Sequence, residues 1–97
     1  MRIEWLPSAL NDLGRVREFL RPKNAEAAQR AVVSIKKAVA ALEINPRLGK
    51  VVEDLPDFHD IIIPFAGRSY ILRYRTHDDI VFIVAIRHSR EVGFAQE

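Results

Sequence analysis

The chain has 97 residues, a formal net charge of +2, 48% apolar and 29% charged residues, which bounds it to one small globular domain and excludes collagen-like and low-complexity classes. It contains no cysteine, so disulfides, thiolate nucleophiles and cysteine-ligated zinc are excluded, and a cytoplasmic location is the expectation. No apolar run approaches the roughly 18 residues of a membrane span, and Glu4 and Pro7 interrupt any signal-like opening.

The charge is uneven. Residues 1–50 carry ten Lys and Arg against five Asp and Glu, a net +5, whereas residues 51–97 carry five against eight, a net −3. A basic first half suits nucleic acid or an acidic partner, or simply solvates outer helix faces.

In chain order, Arg2–Leu6 reads as a short first strand holding Ile3 and Trp5. Pro7 suits the first turn of a helix, where its missing N–H costs nothing. Ala9, Leu10, Leu13, Val16, Phe19 and Leu20 then recur at helical spacing, with Asp12, Arg15, Arg17 and Glu18 on the other side. Pro22 disfavours helical geometry at Arg21 and ends the segment. Asn24 is a fitting N-cap for a second helix, whose stripe is Ala28, Ala31, Val32, Ile35, Val39 and Leu42 and which Asn45-Pro46 stops. Two amphipathic helices on a short link form an αα-hairpin.

The period then changes. Leu48–Val52 reads as an irregular edge segment, and Phe58–Phe65, with three consecutive isoleucines, as a strand ending at an Ala66-Gly67 turn. Ser69–Thr76 alternates, placing Tyr70, Leu72 and Tyr74 on one face and Ile71, Arg73 and Arg75 on the other. After the His77-Asp78-Asp79 turn, Ile80–Ile86 is apolar on both faces, as a central strand is. Ser89–Glu97 is polar and reads as a loose tail. The expected fold is α+β in the order β-α-α-β-β-β, a single domain over 1–97 with the helical hairpin packed on one face of an antiparallel sheet. The other sheet face is too apolar for a monomer and marks a partner surface.

The chemistry-bearing residues are few. His59, His77 and His88 lack metal-site spacing, and neither a metal nor a cofactor is expected. His88 follows an apolar strand and lies between Arg87 and Arg90, cations that disfavour its charged form. It can serve as a general acid or base, or as a cap bonding a nearby carbonyl. Arg68, Arg73, Arg75, Arg87 and Arg90 can clamp phosphate or carboxylate, or can pair with Asp60, Asp78 and Asp79 at the surface. Tyr70 and Tyr74 offer stacking area, or pack under the helices.

Four segments in register carry a resemblance to a family. Trp5-Leu6-Pro7-Ser8-Ala9-Leu10-Asn11-Asp12-Leu13, the segment Asn45-Pro46-Arg47-Leu48-Gly49-Lys50 after an alanine-rich helix, Gly67-Arg68-Ser69-Tyr70-Ile71-Leu72-Arg73-Tyr74-Arg75, and Val84-Ala85-Ile86-Arg87-His88-Ser89-Arg90 together resemble RelE/ParE superfamily toxins. The resemblance implies a bacterial type II toxin in a hetero-oligomer with a cognate antitoxin, a ParD-like ribbon-helix-helix protein. It leaves two branches: ParE-like members, associated with poisoning DNA gyrase, and RelE-like members, which cut messenger RNA on the ribosome. Lys50 is followed by Val51, Val52, Glu53 and Asp54, where a nuclease groove would want more lysines. No tyrosine follows His88. The ParE-like branch is therefore the expectation, with no catalytic residue assigned. Arg68, Arg87 and His88 are the candidates should the chain be a nuclease. Arg73, Arg75 and Tyr74 are the expected antitoxin anchors, and no membrane partner is expected.

Overall fold

The computed structural model describes residues 1–91, 93 and 94. The elements are β1 (Arg2–Trp5), α1 (Pro7–Leu20), α2 (Ala25–Ile44), β2 (Lys50–Val52), β3 (Leu55–Phe65), β4 (Arg68–His77) and β5 (Ile80–His88). Pro7 stands in the first turn of α1, and the Asn24 side chain caps α2 by accepting from Ala27 N at 3.0 Å. The α+β reading holds. The Leu48–Val52 segment supplies a true short strand, β2, whose pairing with β3 slips register between Val51 and Val52.

The five strands form one sheet in the order β1-β5-β4-β3-β2. Three of its pairings are antiparallel. β1 runs parallel to β5 in the register Arg2↔Ile80 to Trp5↔Ile83, so the expected antiparallel sheet is a mostly antiparallel one. The reason is topological. The helical hairpin carries the chain away from β1 across one face, and the β2–β5 meander returns its last strand beside the first, pointing the same way. Both central hairpin turns are two-residue turns with positive φ, Ala66 at 51° and Gly67 at 75°, and Asp78 at 48° and Asp79 at 61°. That is the geometry whose twist matches paired strands.

The helices cover one face. Ala9, Val16, Ala31, Ile35, Val39 and Leu42 pack on Ile63, Tyr70, Leu72, Tyr74, Val81, Ile83 and Ile86. Leu13 and Leu20 only border this core, and Leu10 and Phe19 are 52% and 60% exposed, against the expected stripe. α1 is rotated so that its buried positions are Ala9, Asp12 and Val16.

The edge of β5 explains that rotation. β1 pairs with β5 only as far as Ile83, and the rest of that edge has no strand neighbour among the described residues. Ser8 Oγ donates to Val84 O at 2.6 Å, and Asp12 Oδ2 accepts from Ile86 N at 2.9 Å. Side chains of α1 thus satisfy backbone groups that would otherwise be buried without partners. Asp12, expected on the outer side, is the one buried charged residue among those described.

At the other end of the sheet, Tyr74 O–H donates to Pro46 O at 2.7 Å and accepts from Gly49 N at 2.8 Å. A Cβ on Gly49 would lie 2.7 Å from a Tyr74 ring carbon, so glycine is required by the close approach.

Candidate functional site

β4 and β5 present different residues to the two faces of the sheet. The register pairs Tyr70 with His88 and Ile71 with Arg87. Tyr70 and His88 therefore face the helix side, and Arg87 the open side.

On the helix side a cleft of about 480 Å³ opens between α1 and the ends of β4 and β5. Arg15, Val16 and Phe19 line it from α1, Arg68 and Tyr70 from β4, and His88, Arg90 and Glu91 from the end of β5 and beyond. His88 Nδ1 accepts from the Arg90 backbone N–H at 3.1 Å, so in the neutral ring the proton sits on Nε2. The ring meets Tyr70 edge-on with centroids 5.5 Å apart. Burial, then the charges of Arg68 and Arg90, lower the His88 pKa, with Glu91 opposing.

Glu91 is held. Its carboxylate accepts from Arg15 at 2.9 Å and from the His88 backbone N–H at 3.2 Å. Burial pushes its pKa up, but the bonds from Arg15 and His88 N–H outweigh it, and the net shift is downward. The Glu91 hydrogen bond, set against burial, raises the Arg15 pKa. Burial raises that of Tyr70, partly offset by Arg68. The Arg68 and Arg90 guanidinium groups form no hydrogen bond or ion pair among the described residues.

The open face differs. Arg73 binds Asp60 through two bonds of 2.9 and 3.1 Å and lies 4.4 Å from the Phe94 ring centroid. Arg87 donates to Glu91 O at 2.7 Å and lies 5.4 Å from the same ring. Phe94 is 7% exposed, and Glu91 is fixed as above. Of the loose tail expected over 89–97, residues 92 and 95–97 lie outside the described residues. Arg75 is exposed beside Phe58, 5.8 Å from its ring centroid.

The structure thus brings Arg68 and His88 together and puts Arg87 on the opposite face. Arg73 and Arg75 share the open face as the alternation predicts. Tyr74 does not join them: it points under the helices, is 0% exposed and stacks on His59 at 5.4 Å. It offers no surface to a protein partner, which corrects its place among the expected anchors. Sequence reasoning missed the Arg15–Glu91 pair, because 76 residues separate the two and no local pattern links them. It missed Asp12 although a signal existed, since Asp12 sits three residues after Ala9 and four before Val16 on the same helical arc. Among the described residues no group of three His, Asp or Glu side chains is placed to hold a metal ion, and no helix is long and apolar enough to cross a membrane.

Comparison with known proteins identifies the fold's relatives. The model of the family described as "ParE toxin of type II toxin-antitoxin system, parDE" matches residues 3–93. "Toxin RelE3" of Caulobacter vibrioides is 32% identical over 89 residues, covering 92% of this chain and 95% of that protein. "Toxin RelE2" of the same organism is 30% identical over 89 residues, covering 91% and 94%. A solved structure titled "Chromosomal ParDE TA system from P. aeruginosa" superposes with a TM-score of 0.74 at 21% identity, covering 91% of this chain and 95% of that one. At that identity it supports the fold alone.

Proposed function

The chain belongs to the ParE toxin family of type II toxin–antitoxin systems, and from that premise we propose that it arrests DNA gyrase by binding, without catalysis of its own, until a cognate antitoxin neutralises it. The observation that carries this reading is the state of the bases in the cleft. Cleaving RNA through its 2′-hydroxyl requires a group to take the hydroxyl proton. The Nδ1 lone pair of His88 is occupied by the Arg90 N–H, and the Glu91 carboxylate is occupied by Arg15 and the His88 N–H. The two arginines expected to act together in a nuclease are divided as well, Arg68 on one face and Arg87 on the other.

Two observations favour the RelE-like alternative, a ribosome-dependent mRNA endoribonuclease. Arg68 and Arg90 stand beside His88 in one cleft with no partner among the described residues, and the relatives at 32% and 30% identity carry the RelE name.

The antitoxin of this reading is a ParD-like ribbon-helix-helix protein whose acidic tail folds on binding. The +5 of residues 1–50 speeds its association. Exposed Arg75, beside the Asp60-bound Arg73, is its charged anchor on the open face. Two experiments test the proposal. Purified protein is expected to stop supercoiling by gyrase, and the adjacent antitoxin, co-purified as a hetero-oligomer, to restore it. Full supercoiling at a large molar excess of toxin would overturn the gyrase assignment.

A further inference from the structure

We propose that the cleft between α1 and the ends of β4 and β5 is a binding site for a nucleoside phosphate monoester, with the phosphate on Arg68, Arg90 and His88 Nε2–H and the base on the apolar wall of Val16, Phe19 and Tyr70. The site is independent of whether the toxin acts on gyrase or on the ribosome.

Three observations lead to it. The first is unmatched donors. Arg68, Arg90, the His88 Nε2–H and the Tyr70 O–H border one cleft, and none of these groups has a hydrogen-bond partner among the described residues. The open-face arginines, Arg73 and Arg87, bind Asp60 and the Glu91 carbonyl instead.

The second is charge. Arg15 is taken up by two carboxylates, Glu91 at 2.9 Å and Asp12 at 3.4 Å, and His88 is held toward its neutral form by burial and by Arg68 and Arg90. The positive charges in the cleft without an ion-pair partner among the described residues are two, on Arg68 and Arg90. A phosphate monoester, which carries close to two negative charges at neutral pH, balances them, whereas a single carboxylate leaves one guanidinium unmatched. Guanidinium forks also suit the phosphate geometry.

The third is shape and lining. The volume, about 480 Å³, lies within the roughly 300–1,000 Å³ range of small-ligand sites. The wall is largely apolar and continues past Phe19 to Phe65 in an adjoining hollow. Flat aromatic rings beside paired arginines favour a ligand with a ring attached to its phosphate.

The test is a titration of the full-length protein followed by NMR, reading the His88 and Tyr70 ring signals. The probes are adenosine 5′-monophosphate, adenosine, inorganic phosphate, and a short single-stranded oligonucleotide with and without a 5′-phosphate. Saturable shifts with the monophosphate are expected, with adenosine and inorganic phosphate each at least tenfold weaker. The two oligonucleotides separate the sources. A preference for the 5′-phosphorylated strand over the free monophosphate assigns the site to nucleic-acid ends, and the reverse assigns it to free nucleotides. Arg68→Ala and Arg90→Ala are each expected to weaken binding about tenfold or more, and Arg17→Ala, outside the cleft, to leave it unchanged. Spectra that elsewhere match the wild type exclude misfolding.

Binding is also expected to raise the His88 pKa. The dianion offsets Arg68 from β4 and Arg90 beyond β5, while Arg15 from α1 and Glu91 remain paired. Absence of saturable shifts with both the monophosphate and the phosphorylated strand would overturn the proposal. So would binding that survives both arginine substitutions, or inorganic phosphate binding as tightly as the monophosphate.

Discussion

Tyr70 and Tyr74 lie four residues apart on the same face of β4, both buried and both with a pKa raised chiefly by burial, yet they occupy different kinds of place. Tyr74 is locked: its hydroxyl is held by Pro46 O and Gly49 N, and its ring stacks on His59. It ties the α2–β2 connection to the sheet. Tyr70 meets His88 edge-on at the mouth of an open cleft, and its hydroxyl has no partner among the described residues. One end of the strand is organised for stability. The other leaves polar groups without a partner among the described residues, at the cleft proposed above to take a ligand.

Substitutions at the locked end and in its core should cost most. Leu42 is 0% exposed in the core, and Leu42→Ala is expected to lower stability by about 2–5 kcal/mol in denaturant unfolding. Leu13→Ala, at the border of the core, is expected to cost less. A loss at Leu13 equal to that at Leu42 would mean that α1 packs more deeply than described.

Next come the polar locks. Asp12→Ala strands the buried Ile86 N–H, and Tyr74→Phe removes both hydroxyl bonds. Each is expected to cost about 1–3 kcal/mol. Gly49→Ala should fall in the same range through overpacking against Tyr74.

At the open end the same chemistry should be nearly silent. Arg68→Ala and Tyr70→Phe break no hydrogen bond or ion pair among the described residues, so each is expected within about 0.5 kcal/mol of wild type. A loss as large as that of Tyr74→Phe would erase the distinction between the two ends.

The smallest effect is pH dependence. The folded-state pKa values of His88 and Glu91 are both lowered. The unfolded chain therefore takes up protons first, and stability falls as pH drops. For His88 the decline begins near its unperturbed value of about 6.5 and continues through its lower folded value. Glu91 adds its part at more acid pH. Thermal melts of His88→Gln should lose the upper part of this slope, and an unchanged slope would remove His88 as its source.

Much of the fold was legible because it rests on local signals. Pro7 and Asn24 mark helix starts, the Ala66-Gly67 and Asp78-Asp79 pairs mark turns, and the alternation in Ser69–Thr76 assigns its faces. The parallel pairing of β1 was not legible, because strand direction beside a distant strand depends on the whole path of the chain. The site was legible in part. Arg68, His88 and Arg90 stand out as residue types, but whether an arginine is occupied depends on partners far along the chain: Asp60 takes Arg73, and Glu91 takes Arg15 rather than Arg68. The separation of Arg87 from His88 follows from strand alternation alone, and no sequence separation would reveal that Tyr74 meets Pro46 and Gly49.

The most direct measurement adds one preparation of the protein to two reactions, gyrase on relaxed plasmid and a translation mixture whose mRNA is mapped by primer extension. The binding-toxin account expects supercoiling to stop while the mRNA remains intact. Cleavage of ribosome-bound mRNA with gyrase unaffected would contradict it.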